Sequence, residues 1–162
     1  MDTDFLRKVS LFKGLNEEGL KALSELCFTR EFAKEGVIIL AEQEGDTLFI
    51  IREGQVKVCI SSEEGREVIL SLLGPGAVFG ELALLDGKLR SANVVATDNT
   101  SLVMLRRSDF QQLIYKTPQI AMALLAELAG RLRRTDRQIE GLALLDVTSR
   151  ISETLLQLAD DQ

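Results

Sequence analysis

The chain has 162 residues, 46% of them hydrophobic, which suffices for about one domain with a buried core and room for an extension. Its net charge of −6 argues against nonspecific binding of nucleic acid by this chain. The absence of histidine removes most zinc and non-haem iron sites and the histidine base of most serine or cysteine nucleophiles, so the chain reads as a non-enzyme with no metal, a carboxylate-only enzyme being the remaining catalytic reading.

No basic leader with an apolar core opens the sequence, and the apolar runs are too short to span a membrane. A cytoplasmic protein without membrane contact is expected, and Cys27 and Cys59 read as two buried thiols. Residues 4–26 read as helical, with Asn16 as an N-cap. From 27 to 106 short alternating apolar runs are separated by glycine turns, about eight antiparallel strands in all. "TLFIIREGQVKVCIS" reads as a hairpin turning at Glu53-Gly54. "SSEEGREVILSLL" is a second turn leading into a strand, "GPG" at 74–76 is a loop, and Asp98-Asn99 joins "NVVA" to "TSLVMLRR". Such spacing suggests a barrel or a jelly roll.

After Arg107 the pattern becomes helical. "SDFQ" at 108–111 reads as a capping box opening a short helix to Tyr115. Thr117-Pro118 reads as an N-cap followed by proline at the first helical position, opening one long helix to about Leu145. In that helix Leu125, Leu128, Leu132, Thr135, Ile139 and Leu142 alternate steps of three and four, the spacing of a coiled-coil seam, so a homodimer through this helix is favoured over packing on its own barrel. Arg131, Arg133, Arg134 and Arg137 read as a solvated or interface-flanking face. Asp146 reads as the N-cap of a further helix, whose stripe of Ile151, Leu155 and Leu158 needs a partner from a second domain.

The chemistry concentrates in "GELALLDGKLRSANVVA", Gly80 to Ala96. A P-loop is excluded, because six residues separate Gly80 from Gly87 and Leu89 follows Lys88 where Ser or Thr is required. Gly80 permits close approach of a ligand to the backbone, and "ELALL" can form a turn of helix whose free N–H groups face an anion. Arg90 offers a fork matched to phosphate oxygens, and Ser91 adds a hydroxyl. Glu81 fits if the ligand also carries a sugar hydroxyl, which a carboxylate accepts. A cyclic mononucleotide is the simplest ligand of that description. A Glu81–Arg90 ion pair in a surface loop is the competing structural reading.

This stretch resembles the phosphate-binding cassette of cyclic-nucleotide-binding domains, with Phe79-Gly80-Glu81-Leu82-Ala83-Leu84 and Arg90-Ser91-Ala92 as its two halves. The resemblance runs from about Leu11 to the end, and "LALLDVTSRISETLLQLA" is similar to the hinge of the bacterial cyclic-AMP receptor protein (catabolite activator) family. It implies a mainly β fold with α: an antiparallel jelly roll, a cupin-like double-stranded β-helix, followed by a long dimerisation helix. The implied domains are 1–116 for the β-roll with N-terminal helices, 117–145 for the dimer helix, and 146–162 for a hinge and the first helix of a DNA-binding domain.

The resemblance also implies roles. Gly80 and Glu81 meet the ribose, Arg90 and Ser91 hold the cyclic phosphate, and Leu82 and Ala92 complete the cassette. Val58 and Leu70 line the base pocket. Thr135 reaches the adenine, Asp136 stands at the family's cross-subunit adenine contact, Arg131 flanks the ligand, and Asp146 caps the hinge. Leu89 replaces a frequent proline, and Asp136 replaces a serine; cyclic AMP therefore remains the expected effector, with cyclic GMP as the alternative. The arginine pattern departs from that of relatives sensing cyclic di-GMP, and haem or iron–sulfur branches require His or clustered Cys. The implied protein is a dimeric bacterial transcription regulator that binds DNA, and contacts RNA polymerase, only at full length. A cyclic-nucleotide module controlling an enzyme or channel, a barrel enzyme of cupin type, and a regulator that has lost its ligand are the rival readings.

Overall fold

The computed structural model describes residues 3–62 and 64–144. They fall into two compact units that part between Ala121 and Met122.

The first unit begins with helix α1 (Thr3–Lys8), a 3-10 turn at Ser10–Phe12 and helix α2 (Glu17–Leu26). The expected helical stretch is two helices, parted where Val9 is extended and the chain turns again before Asn16. Asn16 does cap α2: its side-chain oxygen accepts from the Gly19 N–H at 2.9 Å. Leu20 and Leu23 turn one face of α2 inward.

Eight strands follow: β1 (Phe28–Phe32), β2 (Val37–Ile39), β3 (Thr47–Glu53), β4 (Val56–Ser61), β5 (Glu67–Leu73), β6 (Val78–Phe79), β7 (Asn93–Ala96) and β8 (Thr100–Arg106). They form two four-stranded antiparallel sheets, ordered β1-β8-β3-β6 and β2-β7-β4-β5, the jelly-roll arrangement. A core of Ile39, Phe49, Ile51, Val56, Phe79, Val94, Leu102 and Met104 lies between the sheets. Strand alternation then sends Leu48 and Ile50 to the opposite face of β3, where they too are fully buried. That second layer of cover is helical, since both α3 (Glu81–Asp86) and α4 (Arg107–Lys116) contact β3.

One sequence expectation fails here. β3 and β4 do not form a hairpin at Glu53-Gly54, because the turn carries the chain from one sheet to the other, as does the Asp98-Asn99 turn that joins β7 to β8 as expected. Gly54 adopts φ 87°, and a Cβ there would stand 2.6 Å from the Asn99 carbonyl oxygen. The Gln55 N–H donates to Asp98 Oδ1 at 2.7 Å and the Thr97 N–H to the Gln55 carbonyl at 2.9 Å, so the two crossings lock together. The turn after "SSEEG" does join a paired hairpin, with Ser61 opposite Glu67. Cys59 is buried as expected, whereas Cys27 is only partly so.

Helix α4 starts at Arg107, one residue before the expected capping box, and no side chain caps it. Pro118 opens helix α5 (Pro118–Leu144), which continues into the second unit. On α5 the seam residues Leu125, Leu132, Ile139 and Leu142 are 58–70% exposed, while Leu128 is partly covered. Asp146 and the stripe of Ile151, Leu155 and Leu158 lie outside the described residues.

Candidate functional site

Gly80 is the pivot between β6 and α3. It sits at φ 80°, a left-handed conformation that L side chains adopt only with strain, and it reverses the chain so that Glu81 opens the helix. Glu81 is only 3% exposed, although it is a carboxylate. Such burial is costly unless the charge has a purpose and partners. Leu82 points outward, half exposed, and Ala83 and Leu84 turn into the core.

Arg90 is the other buried ion, at 7% exposure. The loop from 42 to 46 and the first residue of β3 cradle it. Its main-chain N–H donates to the Gln43 carbonyl at 2.9 Å, and its carbonyl accepts from the Glu42 N–H at 2.8 Å. Its side chain crosses Gly45 so closely that a Cβ there would lie 1.8 Å from Nε. At the end, Nη1 donates to the Gly80 carbonyl at 2.6 Å and Nη2 to the Thr47 carbonyl at 2.8 Å. The guanidinium carbon stands 5.7 Å from the centroid of Phe49, whose ring stacks on Phe79 at 5.1 Å.

Two consequences follow. The bonds to the Gly80 and Thr47 carbonyls fix the orientation of the guanidinium plane. Burial holds the Arg90 pKa below its ordinary value, with Asp46 and Glu81 favouring the charged form and Arg107 opposing it. Ser91 next to it is exposed and Ala92 is buried. The structure therefore brings Gly80, Glu81 and Arg90 together beside one short helix. It also makes β4 and β5 neighbours, so Val58 and Leu70 lie on paired strands; the register slips between Val58 and Cys59, which leaves Leu70 at a bulge and 42% exposed.

Thr135, Asp136 and Arg131 belong to the second unit. Thr135 Oγ1 donates to the Arg131 carbonyl one turn earlier at 3.1 Å, and Arg131 Nη2 donates to Glu127 Oε1 at 2.5 Å. Asp136 is exposed. Among the described residues no cluster of three or more His, Cys, Asp or Glu could hold a metal ion. Two residues that shape the site were not singled out from sequence: Gly45, whose missing side chain makes room for Arg90, and Arg107, which binds the cradle to α3. The juxtaposition of Gly45 with Asp46 before a strand is the faint signal for the first; nothing local marks the second.

Comparison with known proteins settles the family. The family model described as cyclic nucleotide-binding domain matches residues 29–117, which include both halves of the cassette. The chain belongs to the cyclic nucleotide-binding domain family. Within that family it lies on the cyclic-AMP receptor protein branch. A CRP-like cAMP-activated global transcriptional regulator of Mycobacterium tuberculosis is 31% identical over 156 residues, covering 96% of this chain and 70% of the relative. The cAMP-activated global transcriptional regulator CRP of Pasteurella multocida is 40% identical over 134 residues, covering 82% of this chain and 64% of that one. This chain thus spans just under two thirds of the Pasteurella relative. Among solved structures, the catabolite activator protein of Thermus thermophilus superposes with a TM-score of 0.73 at 36% identity, over 83% of this chain and 63% of that one. Neither Glu81 nor Arg90 is at the surface, so the two do not stand in an exposed loop.

Proposed function

We propose that this chain is the effector-sensing domain of a dimeric bacterial transcription regulator and that its effector is a cyclic mononucleotide, cyclic AMP. The observation that carries the reading is the pair of buried ions, Glu81 and Arg90, set beside the start of α3 with the arginine fork already oriented by the Gly80 and Thr47 carbonyls. A cyclic mononucleotide presents one phosphate charge and one free ribose hydroxyl. The donors of Arg90 and the exposed Ser91 suit the phosphate, and Glu81 suits the 2′-hydroxyl. Gly80, Leu82 and Ala92 shape the cassette around them, and Val58 and Leu70 offer apolar surface to the base. The names of the relatives as cAMP-activated regulators support adenine. Acceptors at Thr135 and Asp136 suit its amino group, and an acidic residue at 136 keeps cyclic GMP as the alternative.

The exposed seam of α5 supports a homodimer, because such an apolar row in water needs a cover. No helix among the described residues is long and apolar enough to cross a membrane, consistent with a regulator acting in the cytoplasm. DNA, and RNA polymerase, are partners of the full-length regulator; this domain binds effector and dimerises. Its role is regulatory rather than catalytic: effector binding favours one helix geometry through differential affinity and so shifts the population of states. Calorimetry on Arg90→Ala tests the site. A charge-assisted contact is worth about 1.5–3 kcal/mol, so affinity for cyclic AMP falls roughly 10- to 150-fold; binding as tight as the parent's excludes the assignment.

A further inference from the structure

We propose that Arg107 is a positioning residue for the nucleotide, a clamp that fixes the Glu81 helix against the Arg90 cradle. The inference rests on the nucleotide reading above. Arg107 opens α4 directly after β8. Its main-chain N–H donates to the Asp46 carbonyl at 2.6 Å. Its Nη2 donates at once to the Gly45 carbonyl at 2.8 Å and to the Ala83 carbonyl at 2.9 Å. Gly45 is the residue that Arg90 crosses, and Ala83 lies two residues beyond Glu81 in α3. One nitrogen therefore ties the floor of the arginine to the helix that carries the carboxylate.

The tie matters because α3 has only six residues. A helix so short is not stable by itself and takes its position from tertiary contacts. Stability alone does not explain the residue. Arg107 Nε is buried without a hydrogen-bond partner, and among the described residues Arg107 forms no ion pair. A buried orphan N–H and a second cation close to Arg90 both oppose folding, and an apolar side chain at 107 would avoid both. What the guanidinium adds is a two-carbonyl bond that no apolar side chain makes. It acts on Glu81 through α3, and Glu81 is assigned to the ribose 2′-hydroxyl.

The test compares cyclic AMP with 2′-deoxy cyclic AMP, titrated calorimetrically into the parent chain, Arg107→Met and Arg107→Lys. The parent prefers cyclic AMP by about tenfold or more, the value of one hydrogen bond to a charged group. Arg107→Met loses about tenfold for cyclic AMP and much less for the deoxy ligand, so the preference collapses toward unity. A purely structural role lowers both affinities together and leaves the ratio unchanged, which overturns the proposal. If Arg107→Met does not fold, Arg107→Lys decides by the same ratio, expected to fall at least about threefold; an unchanged ratio overturns the clamp. A parent that binds both ligands equally overturns the Glu81 reading and this inference with it. A discriminating parent with an equally discriminating Arg107→Met overturns the inference alone.

Discussion

Gly45→Ala tests the arginine cradle with a single methyl group. The backbone at Gly45 lies outside the left-handed region, so alanine is unstrained there by itself. The obstacle is Arg90: the new Cβ would stand 1.8 Å from Nε, 2.2 Å from Cζ and 2.4 Å from Nη2. No small adjustment relieves such overlap along the whole guanidinium, so Arg90 leaves the cradle and surrenders its bonds to Gly80 and Thr47. Stability changes little, because the released cation regains water while alanine stiffens the unfolded chain by about 0.4–1 kcal/mol. Affinity changes much more. Loss of the oriented phosphate contact, at about 1.5–3 kcal/mol, weakens cyclic AMP binding roughly 10- to 150-fold. The deciding assay is a double-mutant cycle by calorimetry with Gly45→Ala, Arg90→Ala and the pair. If Gly45→Ala works by displacing Arg90, the pair binds about as weakly as Arg90→Ala alone. Full additivity of the two losses, or parental affinity in Gly45→Ala, refutes the cradle.

Further outcomes follow from the same geometry. Gly80→Ala combines a left-handed backbone at φ 80° with a Cβ 2.7 Å from Arg90 Nη1, so thermal denaturation shows a loss of about 1–3 kcal/mol; parental stability contradicts the strain. Burial pushes the Cys27 thiol up to about 12 and also raises Cys59. At pH 8 the Cys27 thiolate fraction is thus about a thousandfold below that of an ordinary thiol, and labelling by a thiol reagent under native conditions is correspondingly slow; rapid modification contradicts it.

The parts of the site that were legible in the sequence are the ones whose chemistry is local. Phe79-Gly80-Glu81 and Arg90-Ser91-Ala92 lie within fourteen residues, and their side-chain types suggest an anion beside a hydroxyl, with a Glu81–Arg90 ion pair as the competing reading. Gly45 and Arg107 act on those same groups from distant segments, through the close approach of Arg90 and through carbonyls that every residue type carries. No composition or spacing announces such a contact. The fold shows a parallel division. Period-two alternation and glycine turns reveal eight strands, but a tight turn reads alike whether it closes a hairpin or carries the chain between sheets. What makes the turn at Glu53-Gly54 a crossing is its bonding with Asp98 and Thr97, more than forty residues on. "SDFQ" misled for a related reason: the helix begins at Arg107, whose side chain is engaged by Gly45 and Ala83, and capping by Ser108 is displaced.

On the proposed reading, one cyclic mononucleotide binds each chain at the Glu81–Arg90 cassette. Calorimetric titration of the parent chain with cyclic AMP, cyclic GMP and cyclic di-GMP tests it most directly. Cyclic AMP is expected to bind saturably at one site per chain, cyclic GMP more weakly and cyclic di-GMP not at all. Tight binding of cyclic di-GMP, or no binding of either mononucleotide, contradicts it.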